Sequence, residues 1–479
     1  MLLASSAVFA PPDAPAQPTT HPSDVPSSRP ARGGEIASGD SMPKPLTHPI
    51  SRAFAGRLEP EPPGYVRNLS KTGIPGAEAY DWLDLGIEHR TRWELRDDDY
   101  RRETLKDDNV FLLRSRGYIG LRRLLDPFRV AVEFQDSRQF NSDYPDTGAD
   151  VDENEIIQLF GELFFEDALA PNTPLRFQFG RLTMEYGARR FVSRPRWRNT
   201  VNSFDGFRLQ LGQPNADWQL DFFAAQPVER LVRQFDRGDE ERWFYGLYGA
   251  WRRWSHIVTL EPYWFILDED RKGRTLPDRE LHTFGLHAFA PIAGTPLDYD
   301  IEVAFQLGRD GDQRHRAQAA VAEIGYSPPH AWKPRLSFSM LYASGDRPGD
   351  TINERFERLF GIAHQFSSED EIVWSNIVSP RIRLEFAPTS RLRFDTSYAA
   401  YLLASDSDTW LPTPRRDPAG RSGNCIGQEV DIRTRYQIDP RIELEIGYAH
   451  LFPGAFTRNT GPADDGDFFY VQTTMQLFK

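Results

Sequence analysis

The chain has 479 residues, with 57 lysines and arginines against 70 aspartates and glutamates, a formal net charge of −13 and a mean hydropathy of −0.56. That balance sets nucleic acid aside as a partner, since phosphate backbones draw basic surfaces. No apolar run of about 18 residues offers a bilayer-spanning helix. The single cysteine, Cys425, excludes an intrachain disulfide and a cysteine-rich metal site.

Residues 1–10, MLLASSAVFA, read as a signal-peptide remnant, with small residues before a cut after Ala10. From 11 to 78 the chain is rich in Pro, Ser, Ala and Thr without periodicity. Such a composition buries no core and predicts disorder. Residues 79–479 read as one all-β unit.

Leu83, Leu85, Ile87, His89, Thr91, Trp93 and Leu95 fall on one side of a period-two pattern. Asp84, Gly86, Glu88, Arg90, Arg92, Glu94 and Arg96 fall on the other. A strand this long with one uniformly charged face suits lipid outside and water inside. Eighteen such segments follow one another, from about 82–97 and 109–124 to 371–387, 390–404, 426–438, 441–452 and 466–478. Connections after even-numbered strands are short, as at Leu125-Asp126, Pro214-Asn215 and Pro388-Thr389. Those after odd-numbered strands are long and polar: 139–153, 183–203, 227–241, 346–370, 405–425 and 453–465. The short loop near 309–312 breaks the rule. This rhythm predicts a transmembrane antiparallel β-barrel of about 18 strands, with short periplasmic turns and long extracellular loops in the bacterial outer membrane. An even strand count puts both ends of the barrel on the periplasmic side.

FGRLTMEYGARR (179–190), followed by WRNTVNSFDGFRL (197–209), resembles the signature of the alginate-export family of outer-membrane proteins. GQEVDIRTRY (427–436) and LEIGYAHLFPGAF (444–456) are similar to that family's C-terminal segment. The resemblance runs from about Tyr80 to the end. It implies a monomeric eighteen-stranded barrel that passes a polyanionic polysaccharide through an arginine-rich constriction. The Pro-rich N-terminal stretch lies outside the family pattern.

An acidic glycan offers carboxylates, and guanidinium binds them in planar, bidentate fashion without losing its charge. The candidate pore-lining residues are Arg90, Arg92, Arg114, Arg116, Arg208, Arg383, Arg433 and Arg435 on polar strand faces, joined by Arg189 and Arg190 from 183–203. Arg181 matches the family's Gly-Arg pair, but alternation from Phe177 and Phe179 aims it at lipid, so its inclusion predicts a bulge at Gly180. An inward fold of 183–203 would make a gate.

Glutamates and aspartates share these polar faces, so many of the arginines are equally explained as cross-strand ion pairs bracing the wall. No Gly-x-Ser-x-Gly elbow, HExxH or phosphate-binding glycine loop is present, and no cofactor or metal is expected. His282 and His287, five apart on one strand, point to opposite faces. The rival to polysaccharide export is a general or small-anion diffusion porin; a plugged barrel serving as adhesin or scaffold is a third class. Expected partners are an anionic polysaccharide or small anionic substrate, outer-membrane lipid with its lipopolysaccharide, and periplasmic export-complex proteins.

Overall fold

A computed structural model of the chain describes residues 61–102, 107–171, 173–213, 216–270, 278–349, 351–362 and 364–478. The proposed signal remnant, most of the Pro-rich stretch and the turn at Pro214-Asn215 lie outside them. Eighteen strands form the barrel wall: β1 Leu83–Asp97, β2 Asp108–Leu125, β3 Phe128–Phe140, β4 Asp152–Ala170, β5 Thr173–Leu182, β6 Phe204–Gly212, β7 Trp218–Glu229, β8 Arg242–Trp251 and β9 Thr259–Glu269. They continue as β10 Arg279–Pro291, β11 Leu297–Asp310, β12 Gln313–Tyr326, β13 Arg335–Ala343, β14 Ile377–Phe386, β15 Leu392–Leu402, β16 Cys425–Asp439, β17 Ile442–Pro453 and β18 Gly466–Gln476. Each pairs antiparallel with its sequence neighbours. The last closes on the first, from Glu88 opposite Gln476 to Asp97 opposite Asp467. Closure leaves no edge, as hydrocarbon requires, because no water is there to take up an unpaired amide.

The polarity is inverted relative to a water-soluble sheet. On β1, Ile87, Trp93 and Leu95 are exposed, whereas Glu88, Arg90, Arg92, Glu94 and Arg96 are buried. The same alternation puts Ile301, Val303, Phe305 and Leu307 of β11 outside, and Asp300, Glu302 and Gln306 inside.

Three sequence expectations need correction. The strand expected over 371–387 begins only at Ile377, because Ile372 and Trp374 are buried inside the barrel as part of the preceding connection. The inner face is also not uniformly polar. Toward the long-loop end, Phe223, Phe244, Phe265, Leu281 and Leu341 point inward. They are covered by Met184, Phe191, Phe356, Phe366, Trp374 and Trp410 from three long connections. A hydrophobic core therefore fills part of the barrel. Finally, residues 61–78, assigned to the disordered stretch, are built into the fold. Val66–Asn68 forms a short strand on Asp84–Gly86 of β1, just beyond the point where β18 ends. Gly86 permits this close approach, since a Cβ there would stand 2.8 Å from the Tyr65 and Val66 side chains.

Val303 lies mid-strand on the lipid face. Val303→Arg should lower folding stability in lipid vesicles by about 2–4 kcal/mol, measured by urea unfolding. A cost no larger than that of a substitution in an exposed loop would contradict the membrane assignment of this face.

Candidate functional site: an arginine-lined lumen

A cavity of about 1650 Å3 runs inside the barrel. Its lining residues include eighteen arginines and eleven carboxylates, an excess of seven positive charges within a chain whose net charge is −13. The cationic lining therefore reflects where the fold places charge, and not the overall composition.

The loop 183–203 folds inward. Arg90 donates to the carbonyls of Arg196 and Trp197 at 2.7 and 2.9 Å and to Asn199 Oδ1 at 2.8 Å. Arg92 donates to the Trp197 carbonyl at 2.6 Å, and Arg114 to those of Arg196 and Arg198 at 3.1 and 3.2 Å. Guanidiniums from two adjacent strands thus grip three consecutive peptide groups of the loop. Trp197 is clasped further, with the Arg92 guanidinium 3.9 Å from its ring centroid and His364 stacked on its face at 4.0 Å. His364 belongs to the second inward connection, 344–376, whose Phe360 pairs with Val192 through an isolated parallel bridge.

Deeper in the wall, Arg190 lies between Asp300 at 3.1 Å and Glu302 at 2.5 Å. His287 bridges Asp300 and Glu261 at 2.9 and 2.8 Å. Burial opposes the Arg190 charge, but the two carboxylates more than offset it and raise its pKa above the ordinary arginine value. This charged chain anchors the loop to β9, β10 and β11. His282 faces outward, as its spacing from His287 implied.

Of the candidate arginines, eight line the cavity: Arg90, Arg92, Arg114, Arg116, Arg189, Arg208, Arg433 and Arg435. Three do not. Arg190 is absorbed in the Asp300–Glu302 anchor. Arg383 is 2 % exposed within the wall, in register with Ser337 and Ser397. Arg181 keeps the outward parity of Phe179 and Leu159, and its guanidinium is held by Asp205 at 2.8 and 3.0 Å and by Glu155 at 2.9 Å. The expected bulge is absent. The ladders run through Gly180 and Arg181 in unbroken register on both sides, although Gly180 takes φ +120°. A Cβ there would collide with the Leu159 carbonyl, so Gly180 serves strand packing and does not redirect Arg181.

Arg358 and His364 of the lining escape the strand-parity rule. Arg358 and His364 come from a connection read as a polar surface loop. The missed signal was its aromatic content, Phe356, Phe360, Phe366 and Trp374, which an exposed loop has no reason to carry. Arg393 and Arg435 stand directly opposite each other across β15 and β16. Like charges so placed oppose folding, and among the described residues Arg393 has no hydrogen-bond or ion-pair partner.

The alginate export family model matches residues 81–471. Among solved structures, the chain is similar to OccAB1 of Acinetobacter baumannii, at 12% identity and a TM-score of 0.57 over 83% of this chain and 97% of that one. It is likewise similar to OpdQ of Pseudomonas aeruginosa, at 14% and 0.54 over 82% and 98%, and to the outer membrane protein OprD of the same organism, at 12% and 0.53 over 82% and 94%. At these identities the likeness concerns the fold alone. No curated protein matches the sequence.

Trp197→Ala should release the loop tip. The expected result is higher single-channel conductance with barrel stability lowered by about 1–3 kcal/mol. Unchanged conductance would show that the loop does not restrict the lumen.

Glu371, in the second inward connection, is pushed up to about 8 by burial and then by the Asp99 charge. An acid whose folded pKa is raised stabilises the fold fully below its unfolded pKa, and that contribution is lost as pH rises through the folded value. The inward packing should therefore loosen between about pH 4.5 and pH 8. Conductance recorded across that range should rise in the native chain and vary less in Glu371→Gln; equal profiles would exclude this residue as the cause.

Proposed function

The chain belongs to the alginate export family, and from the premise that it is an outer-membrane channel we propose that its cargo is an anionic, alginate-like polyuronate. The observation that carries this reading is the excess of arginine on the cavity wall. A polyuronate presents one carboxylate per sugar, so a lining with many guanidiniums, each partly committed to a neighbour, passes the chain from one weak site to the next. Fixed positive charge inside low-dielectric walls also concentrates anions at the mouth. Arginine suits this better than lysine, because it stays charged when half-buried and matches a carboxylate in two hydrogen bonds.

A second reading, a channel for small organic anions, draws on the three inward connections and the hydrophobic core that fill part of the long-loop end. The two differ in what they predict for polymer length. For polyuronate export, purified barrel in a planar bilayer should favour anions in a salt-gradient reversal potential. Oligogalacturonate should block it at lower concentration per uronate than galacturonate does. Equal block per uronate would favour the small-anion channel, and cation preference would remove both readings.

A further inference from the structure

The N-terminal segment 61–65 does not stay at the barrel rim. Glu61, Pro63, Gly64 and Tyr65 line the lumen. The Glu61 carboxylate reaches Arg176 and Arg208, each at 3.4 Å, and accepts a hydrogen bond from Gln178. These three residues belong to adjacent strands β5 and β6, with Gln178 opposite Arg208. Arg176 and Arg208 sit three and four residues from the short-turn ends of their strands, about 10–13 Å along the strand from the periplasmic rim. Each arginine also holds a wall carboxylate: Arg208 has Asp221 at 2.7 Å, and Arg176 has Glu162 at 3.1 Å. The wall partners are nearly inaccessible, with side-chain exposures of 0% and 7%, whereas Glu61 retains 25%. Of the carboxylates on this pair, the one arriving from outside the barrel wall is therefore the exchangeable one.

We infer that Arg176, Gln178 and Arg208 form a carboxylate receptor at the periplasmic end of the lumen, that Glu61 is its resident intramolecular ligand, and that a uronate carboxylate displaces it. The cargo class rests on the polyuronate reading above; the displacement rests on the geometry alone. The same segment reaches the gate. Tyr65 donates its hydroxyl to Glu133 at 2.5 Å, and Glu133 also accepts Arg194 of the inward loop 183–203, at 2.9 Å and through a second, shorter bond. Withdrawal of residues 61–65 would thus remove one of the groups that Arg194 shares through Glu133. Occupation of the receptor would leave more of the Glu133 carboxylate to Arg194, so the receptor and the anchor of the loop would be linked.

The test uses the full chain in planar bilayers with galacturonate and oligogalacturonate as probes. Glu61→Gln retains hydrogen-bonding capacity toward Gln178 but removes the competing charge. It should raise anion over cation permeability and lower the half-blocking concentration of galacturonate by about tenfold, as loss of a tethered competitor requires. Glu61→Asp should restore native behaviour. Tyr65→Phe, which loosens the segment without touching either arginine, should shift both readings in the same direction by a smaller factor. Unchanged permeability and block in both Glu61→Gln and Tyr65→Phe, or weaker block, would overturn the assignment. If Glu61→Gln changes small-anion permeability and galacturonate block while the oligomer blocks no better per uronate, the latch stands and the polyuronate cargo falls.

Discussion

Hydrocarbon offers a backbone no hydrogen bonds, and the remaining features follow from that constraint. It forces the strand at Leu83 to meet the strand ending at Gln476, because only a closed ladder satisfies every amide without water. Closure makes one face of every strand a lipid surface and the other a lining. The sequence can then place Glu88, Arg90 and Arg92 where a soluble sheet would place leucines. Charges gathered inside a tube face one another at short range, so they need partners. Wall carboxylates supply some of these and the carbonyls of inward loops supply others.

The second group of partners explains why the arginines both build the channel and line it. Arg90, Arg92 and Arg114 use the peptide oxygens of 196–198 as acceptors. A carbonyl neutralises no charge, so Arg90 keeps its positive field while being fixed in position, whereas Arg92 and Arg114 each also pair with a wall glutamate, Glu94 at 2.6 Å and Glu88 at 3.0 Å. Arg190 and Arg194 do the reverse: paired with Asp300, Glu302 and Glu133, they fasten the loop and contribute little net field. The loop is held by two chemistries, and the carbonyl-bound one leaves the lumen cationic.

The barrel was legible in the sequence because its determinant is local. Alternation in 83–96 reports directly which way each side chain points, and the sequence-read strands fall within a few residues of the observed ones except at 371–376. There, Ile372 and Trp374 have the spacing of a strand but face the interior core, a distinction that needs the partner's identity. The lumen arginines on strands were legible by parity. Arg181 was correctly aimed outward by the same rule, and the bulge invoked to bring it inside has no counterpart in the ladder. The inward course of 344–376 was not legible from pattern, since its aromatics meet Phe191 of the other inward loop and Phe204 and Phe244 of distant strands. Nor does sequence mark a backbone carbonyl as the acceptor of a particular arginine.

The N-terminal segment couples the strand ladder to the charge of the lumen. Its register on Asp84–Gly86 fixes Tyr65 and, through the chain direction, delivers Glu61 to the wall formed by β5 and β6. Gly86 is the position that allows it, since any side chain there would push Tyr65 away from Glu133. One small residue on β1 thereby determines whether an acidic group stands at the periplasmic end of a cationic lumen. The wall charge alone would attract any anion equally well in either direction. A tethered carboxylate at one end breaks that symmetry, because an anion entering from the periplasm must first compete with it, whereas one already in the lumen meets arginines held by carbonyls. Inequality between the two mouths of such a channel can thus come from where the chain places one of its own carboxylates, with the wall itself unchanged.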